Sequence, residues 1–194
     1  NKWLPHVHVD YHEQGIDNPY YFAPAVEPYH EIISKWQRDF QKEIGKNNAK
    51  YFDQNGWLYF TKETFDLLYP SYGDTYPTYL GAIGMTYEKA GGGVAGLGIL
   101  NSENKVLTLV DRVNHHTTTG ISTVEISSIN AKKLNDEFKL FYNNKSKTNN
   151  YILKGNDNKI QTLKKLLDAH EITYSYGKDF KTSAYSYQSN KNEN

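Results

Sequence analysis

The chain has 194 residues, with 22 basic and 22 acidic side chains and therefore no formal net charge. That balance provides no basic field to attract nucleic acid, and the sequence contains no apolar run near the length of a membrane span. Cysteine is absent, which excludes disulfides and any thiolate nucleophile or metal ligand. The length suits one domain with a core, or one domain with a small appendage.

Strand and helix patterns alternate through the first part of the chain. Residues 5–11 alternate apolar and polar side chains at a period of two, which predicts a strand. A proline-rich loop follows, and the spacing of apolar side chains predicts a helix over 29–52 with Pro28 as its first residue. Residues 56–60 predict a short strand.

The middle of the chain predicts a tyrosine-rich loop, a buried strand and a long helix. The loop covers residues 62–81, with a possible helical turn in front, and the strand covers 82–89. Residues 96–100 and 105–110 predict extended segments joined by a turn. A long helix is predicted from about Thr117 to residue 142.

The last part of the chain differs in composition from the rest. The polar, Asn-rich run 143–150 predicts a linker. Residues 151–194 then predict a strand, a helix and a strand, which is a small βαβ unit with a right-handed crossover and a frayed tail. The predicted fold class is therefore α/β, with a mixed sheet flanked by helices in residues 1–142 and an accessory βαβ segment beyond the linker.

Two side chains that can take part in catalysis or metal binding lie at the carboxyl ends of predicted strands. His12 follows the first predicted strand, and Glu88 ends the strand over 82–89. Ligands of open α/β sheets gather at the carboxyl ends of strands, and both side chains can serve zinc chemistry. Asp10 and Glu13 are further donors beside His12. The simpler alternatives stay open: a hydrogen-bonded structural histidine and a solvated glutamate at the sheet rim.

Three other patterns carry less chemical information. Tyrosines of the loop over 69–79 can swing into a site or form an inert aromatic lid. The glycine-rich run 90–98 lacks the GK[ST] ending of a phosphate-binding loop. His115 and His116 are adjacent and lie near the predicted helix start. Adjacent side chains of a helix do not face one another, so joint binding of a metal is not expected, and capping by one of the threonines at 117–119 is the simpler account.

The order of these segments resembles a known family. A strand ending in DYHEQG, a PYYF loop, a long helix, the loop YPSYGDTYP and a strand ending in GMTYE resemble the C-terminal half of the zinc carboxypeptidases, the carboxypeptidase A-like metallopeptidases, and especially a bacterial branch of them. The resemblance covers roughly residues 5–142. It implies hydrolysis of peptide or peptide-like bonds at a free C-terminus by a secreted or periplasmic enzyme that uses Zn²⁺.

The resemblance also implies roles for individual residues. His12 corresponds to the third zinc ligand, and Glu88 corresponds to the glutamate that activates the attacking water. Tyr69 matches the mobile loop tyrosine that closes over the substrate, with Tyr72 as the weaker candidate for that role. Tyr76 falls near the position of the specificity pocket. Asp10, on the same strand face as His12, is a candidate acceptor for the other nitrogen of the histidine ring.

The chain also departs from the family pattern. The family's first two zinc ligands come from an HxxE motif, and its substrate-binding arginines belong upstream; neither precedes His12 here. The expected partner is therefore an upstream half of the catalytic domain, in addition to the peptide substrate. The alternative interpretation is a non-catalytic module that binds peptides or glycans on a carboxypeptidase-like scaffold.

Overall fold

The computed structural model describes residues 3–94, 96–143, 150–177 and 181–193. The chain divides into two compact units, one within residues 2–144 and the other within 145–194. The larger unit is mixed α/β, as the sequence predicts. No helix in the described ranges combines the length and the apolar character that crossing a membrane requires.

Ten helices and strands of the larger unit follow one another in the described residues. They are β1 (Val7–Gln14), β2 (Tyr20–Tyr21), α1 (Lys35–Asn55), β3 (Tyr59–Phe60), α2 (Thr75–Tyr79), β4 (Ile83–Ala90), β5 (Gly98–Leu100), β6 (Val106–Thr108), α3 (Leu109–Ile129) and α4 (Ala131–Asn143). The described part of the smaller unit contains α5 (Asp157–Ala169), β7 (Ala184–Ser186) and β8 (Lys191–Glu193).

The main sheet has the strand order β1-β4-β2-β3. Strand β1 runs parallel to β4, and β2 runs antiparallel to β4 and parallel to β3. The sheet is therefore mixed, and the strands that carry His12 and Glu88 are direct neighbours, as expected. The extended segments at 96–100 and 105–110 contain the antiparallel pair β5–β6.

The two faces of the β1–β4 pair differ in character. One face is apolar and packs into the main core, whose buried members include Phe40, Ile44, Phe52, Ile83, Met85 and Tyr87, with Val7 and Val9 packed against them. Successive side chains of a strand point to opposite faces. The opposite face therefore carries Asp10 and His12 of β1 beside Thr86 and Glu88 of β4.

Helix α1 begins at Lys35, seven residues after Pro28, the first helical residue that the sequence predicts. Ser34 forms a capping box: its hydroxyl accepts a hydrogen bond from the Gln37 N–H at 3.2 Å, and the Gln37 side chain accepts one from the Ser34 N–H at 2.8 Å. This reciprocal pair satisfies two backbone donors that a helix start would leave free. The helix ends at Asn55 and is followed by Gly56 in the left-handed conformation, with φ of 65°. Pro28 therefore lies before the helix.

Helix α3 begins at Leu109, well before the predicted start at Thr117. Thr108 caps it, because its hydroxyl accepts a hydrogen bond from the Asp111 N–H at 3.1 Å and the Asp111 carboxylate accepts one from the Thr108 N–H at 2.9 Å. The threonines at 117–119 thus lie inside the helix, and their predicted capping role is wrong. The predicted helix is also two helices, which meet at Asn130.

The prediction of a βαβ unit after residue 150 is wrong in its strands. Helix α5 forms as predicted, with Asn156 as its cap. Residues 151–155 and 171–177 contain no strand, and the described strands of this unit are instead the antiparallel pair β7–β8. Ile152 and Ile172 are each 53% exposed, so these segments lack the burial of apolar side chains that stabilises a strand. Of the predicted linker, residues 144–149 lie outside the described residues.

Candidate functional site

His12 and Glu88 face each other across the parallel β1–β4 pair. They are direct partners in the strand register. Neighbouring strands lie about 4.8 Å apart, and register partners project to the same face of the sheet. The structure therefore brings together two side chains that are 76 positions apart in the sequence.

His12 is held by a carboxylate on its own strand. Its Nε2 lies 2.9 Å from Oδ2 of Asp10, and the two side chains are 52% and 33% exposed. This hydrogen bond raises the pKa of His12 above its usual value, with smaller contributions from the carboxylates of Glu88 and Asp74, while burial opposes the rise. A neutral ring that donates from Nε2 presents a lone pair at Nδ1, which is the form that binds metal.

Glu88 is almost fully buried, with 7% of its surface exposed. Burial raises the pKa of its carboxyl group; His12 opposes the rise, and the negative charges of Asp10 and Asp74 add to it. Its Oε2 atom is buried and has no hydrogen-bond partner among the described residues. A buried carboxylate oxygen without a partner is costly, and such groups concentrate at functional sites.

Asp74 is a member of this polar face that the sequence did not reveal. It is 6% exposed, and its two carboxylate oxygens accept hydrogen bonds from the Thr75 hydroxyl at 3.1 Å and the Thr86 hydroxyl at 2.8 Å. Thr86 lies two residues before Glu88 on the same face of β4. The one available signal was this period of two, which marks Thr86 as a neighbour of Glu88 but says nothing about Asp74.

The tyrosine-rich loop reaches the site through its backbone. A Cβ atom added to Gly73 would lie 2.0 Å from Oδ2 of Asp10. Only a residue without a side chain fits so close to the carboxylate that holds His12. The loop therefore contributes Gly73 and Asp74 to the surroundings of the His12–Glu88 pair.

Tyr69 and Tyr72 form no hydrogen bond with His12 or Glu88 and no ring contact with His12 in the described part of the chain. Their side chains are 57% and 56% exposed, and their rings pack on each other with centroids 5.1 Å apart. Tyr76 lies on α2, and its nearness adds to the effect of burial in raising the pKa of Tyr142 on α4.

The described residues do not form a complete metal site. No group of three or more histidines, aspartates and glutamates in the described ranges has the arrangement to hold a metal ion. His12 can offer Nδ1 as one ligand, and Glu88 stands beside it as a free carboxylate. These two fit one ligand and one base of a hydrolytic zinc centre, which needs further ligands from elsewhere.

Comparison of the chain with protein-family models, with curated proteins and with solved structures found no match.

Proposed function

We propose that the chain contributes half of the active site of a zinc-dependent metallocarboxypeptidase, secreted or periplasmic, that hydrolyses peptide or peptide-like bonds at a free C-terminus. The observation that supports this most is the register pairing of His12 with Glu88 on one sheet face, with Asp10 bonded to the histidine. A metal ligand oriented by a carboxylate, beside a buried free carboxylate, is the arrangement that metal-assisted hydrolysis requires.

Each residue of the pair has its own task in this proposal. His12 would hold the metal through Nδ1, while its Nε2–H bond to Asp10 keeps the ring in one orientation. Bound zinc would supply a Lewis acid that lowers the pKa of a coordinated water to about 7. Glu88 takes a proton from the attacking water and passes it to the leaving amine, as a general base and then a general acid.

The surroundings of Glu88 suit this proton transfer. Burial raises the pKa of its carboxyl group, so its affinity for a proton moves toward that needed near neutral pH. General acid–base catalysis of this kind contributes about 10²- to 10⁴-fold in rate.

The tyrosines complete the proposed substrate site. Tyr69 would donate a hydrogen bond to the bound substrate when its loop closes, with Tyr72 as the alternative donor, and Tyr76 would face the substrate side chain. The exposure of Tyr69 and Tyr72 leaves both hydroxyls accessible, and Gly73 ties their loop to Asp10.

The proposed partner is an upstream half of the catalytic domain, which would add the remaining zinc ligands. Strand β1 lies at the edge of its sheet in the described residues. A groove of 660 Å³ runs beside it, with a mainly apolar surface that includes Val7, Val9 and Val124 and with polar side chains such as Ser127 and Asn135 in its lining. Unpaired edge strands and exposed apolar grooves are surfaces that further structure covers, which supports sheet pairing at β1.

The second candidate function is a non-catalytic module that binds peptides or glycans. The exposed, mutually packed rings of Tyr69 and Tyr72 favour it, because accessible aromatic surface stabilises such ligands. Calorimetry with peptides in the presence of EDTA tests it. Binding that survives EDTA and is lost in Tyr69→Ala, without any hydrolysis, would favour the module over the enzyme.

The enzyme proposal is tested with the natural full-length protein. Zinc content is measured by mass spectrometry, and release of C-terminal amino acids from peptides is followed by chromatography. We expect His12→Ala to lose zinc and activity, and Glu88→Gln to keep zinc while losing about 10²-fold or more of kcat. His30→Ala, which removes an exposed histidine, is the matched control. Unchanged zinc content in His12→Ala would refute the proposal.

A further inference from the structure

We propose that Arg112 of α3 is a positioning residue that clamps the ends of β1 and β4 and so keeps His12 and Glu88 side by side. The inference rests on the proposed function in that it takes this pair as the working site. Arg112 lies on the other side of the sheet, where it contacts neither member of the pair.

Arg112 binds the residue that directly follows His12. Its Nη1 lies 3.1 Å from Oε1 of Glu13. Glu13 projects to the face opposite His12, because successive residues of a strand alternate. The ion pair restrains the position of Glu13, and through one peptide unit it also restrains the backbone of His12.

The same guanidinium also binds the loop that follows β4. Its Nη2 donates a hydrogen bond to the carbonyl of Gly96. At the start of that loop, a Cβ atom added to Gly91 would lie 3.0 Å from Cδ of Arg112 and 3.2 Å from Oε1 of Glu13. Gly91 has a φ of 143°, so the absence of a side chain lets the chain turn tightly around the ion pair.

Gln14 joins the two strand ends to each other just beyond the site. Its carbonyl accepts hydrogen bonds from the N–H groups of Gly91 at 3.1 Å and Gly92 at 2.9 Å. Its side-chain amide donates to the carbonyl of Glu88 at 3.3 Å. Arg112 attaches this connection to α3, so that three elements meet immediately after the His12–Glu88 pair.

Because Arg112 is buried, the stability of the fold alone does not explain its presence. Its side chain is 6% exposed while that of Glu13 is 42% exposed, and its Nε has no partner among the described residues. A buried cation with an unpaired donor carries a desolvation cost that an apolar residue would avoid. Two directed bonds from one planar fork, however, fix the relative position of two backbone segments.

The test compares Arg112→Met with Arg38→Met in the natural full-length protein. Arg38 is the other arginine of the sequence; it lies on α1, with its guanidinium 6.0 Å from the centre of the Tyr29 ring. Hydrogen exchange followed by mass spectrometry reports on residues 12–14 and 88–92, and steady-state kinetics separates kcat from KM. For Arg112→Met we expect faster exchange in those two segments alone and a kcat about 10- to 100-fold lower, with KM changed less than about twofold.

Two further variants keep the test decisive. Glu13→Ala removes the same ion pair from its half-exposed side, so it answers the question if Arg112→Met does not fold. Arg112→Lys keeps the charge without the planar fork, and we expect it to restore only part of kcat.

Unchanged exchange in both segments, or faster exchange with unchanged kcat, would overturn the positioning role. A wild-type protein that neither binds zinc nor cleaves peptides refutes the enzyme proposal instead. The exchange measurement then still decides whether Arg112 holds the two strand ends.

Discussion

Replacing Gly73 with alanine perturbs the site without touching a residue of the His12–Glu88 pair. The new Cβ atom would lie 2.0 Å from Oδ2 and 3.0 Å from Cγ of Asp10. Ordinary contact begins at about 3.5 Å, so the carboxylate has to move by about 1.5 Å. His12 Nε2 and Asp10 Oδ2 are 2.9 Å apart, and N–H···O hydrogen bonds are rarely longer than about 3.2 Å between donor and acceptor. A shift of this size therefore breaks the bond.

The expected result follows from the direction of the His12 shift. The bond to Asp10 raises the pKa of His12 above 6.5 in the folded chain. Its stabilising contribution is complete below pH 6.5 and is lost as the pH rises through the raised pKa. Gly73→Ala should therefore lower the pKa of His12 and destabilise the fold more at acidic than at alkaline pH. The pH-dependent part of this loss should not exceed about 1 kcal/mol, since the pair is half exposed, and the steric cost of the new Cβ atom adds to it at both pH values.

The assay is an NMR titration of the His12 ring in metal-free protein, together with urea unfolding at pH 5.5 and pH 9. Gly15→Ala is the control, because its added Cβ would come no closer than 3.5 Å to Asn18. Asp10→Asn should reproduce the lower pKa of His12. An unchanged pKa in Gly73→Ala, or equal destabilisation at both pH values, would refute the reasoning.

Two further predictions concern the scaffold. Tyr87→Phe removes a fully buried hydroxyl that is 2.6 Å from the Thr123 hydroxyl and 3.2 Å from the Asn48 amide. The free energy of unfolding, measured in urea, should fall by about 1–3 kcal/mol. An unchanged value would show that Thr123 and Asn48 find other hydrogen-bond partners. Ser34→Ala removes the α1 cap on Gln37 and should cost about 1 kcal/mol, seen as a lower melting temperature by circular dichroism.

Local sequence patterns predicted most elements but misplaced several of their ends. The apolar period of α1 was visible, yet its start depends on the reciprocal Ser34–Gln37 bonds. A capping box favours one first residue of a helix over the alternatives by only a small difference in free energy. The two-residue strand at Tyr20–Tyr21 could not be predicted, because it exists through pairing with β3 and with Glu88 of β4.

The candidate site was predicted in part. The sequence placed His12 and Glu88 close to the carboxyl ends of two strands, and in the structure each strand continues for two more residues, to Gln14 and Ala90. The period of two places Asp10 on the same strand face as His12. Asp74 and Arg112 could not be found this way, since each reaches the strands from another element. Local sequence patterns also could not predict how far the tyrosines of the loop over 69–79 lie from His12 and Glu88.

The sequence by itself determined the alternation that sends Asp10 and His12 to one side of a strand, and the place of Glu88 close to the carboxyl end of another strand. These follow from backbone geometry, which each segment carries alone. Only the tertiary structure decided that the two strands pair in parallel with His12 opposite Glu88, and that Gly73 lies against Asp10. Such contacts join residues distant in the chain, and they form only when burial of the shared core outweighs the entropy of closing the loops between them.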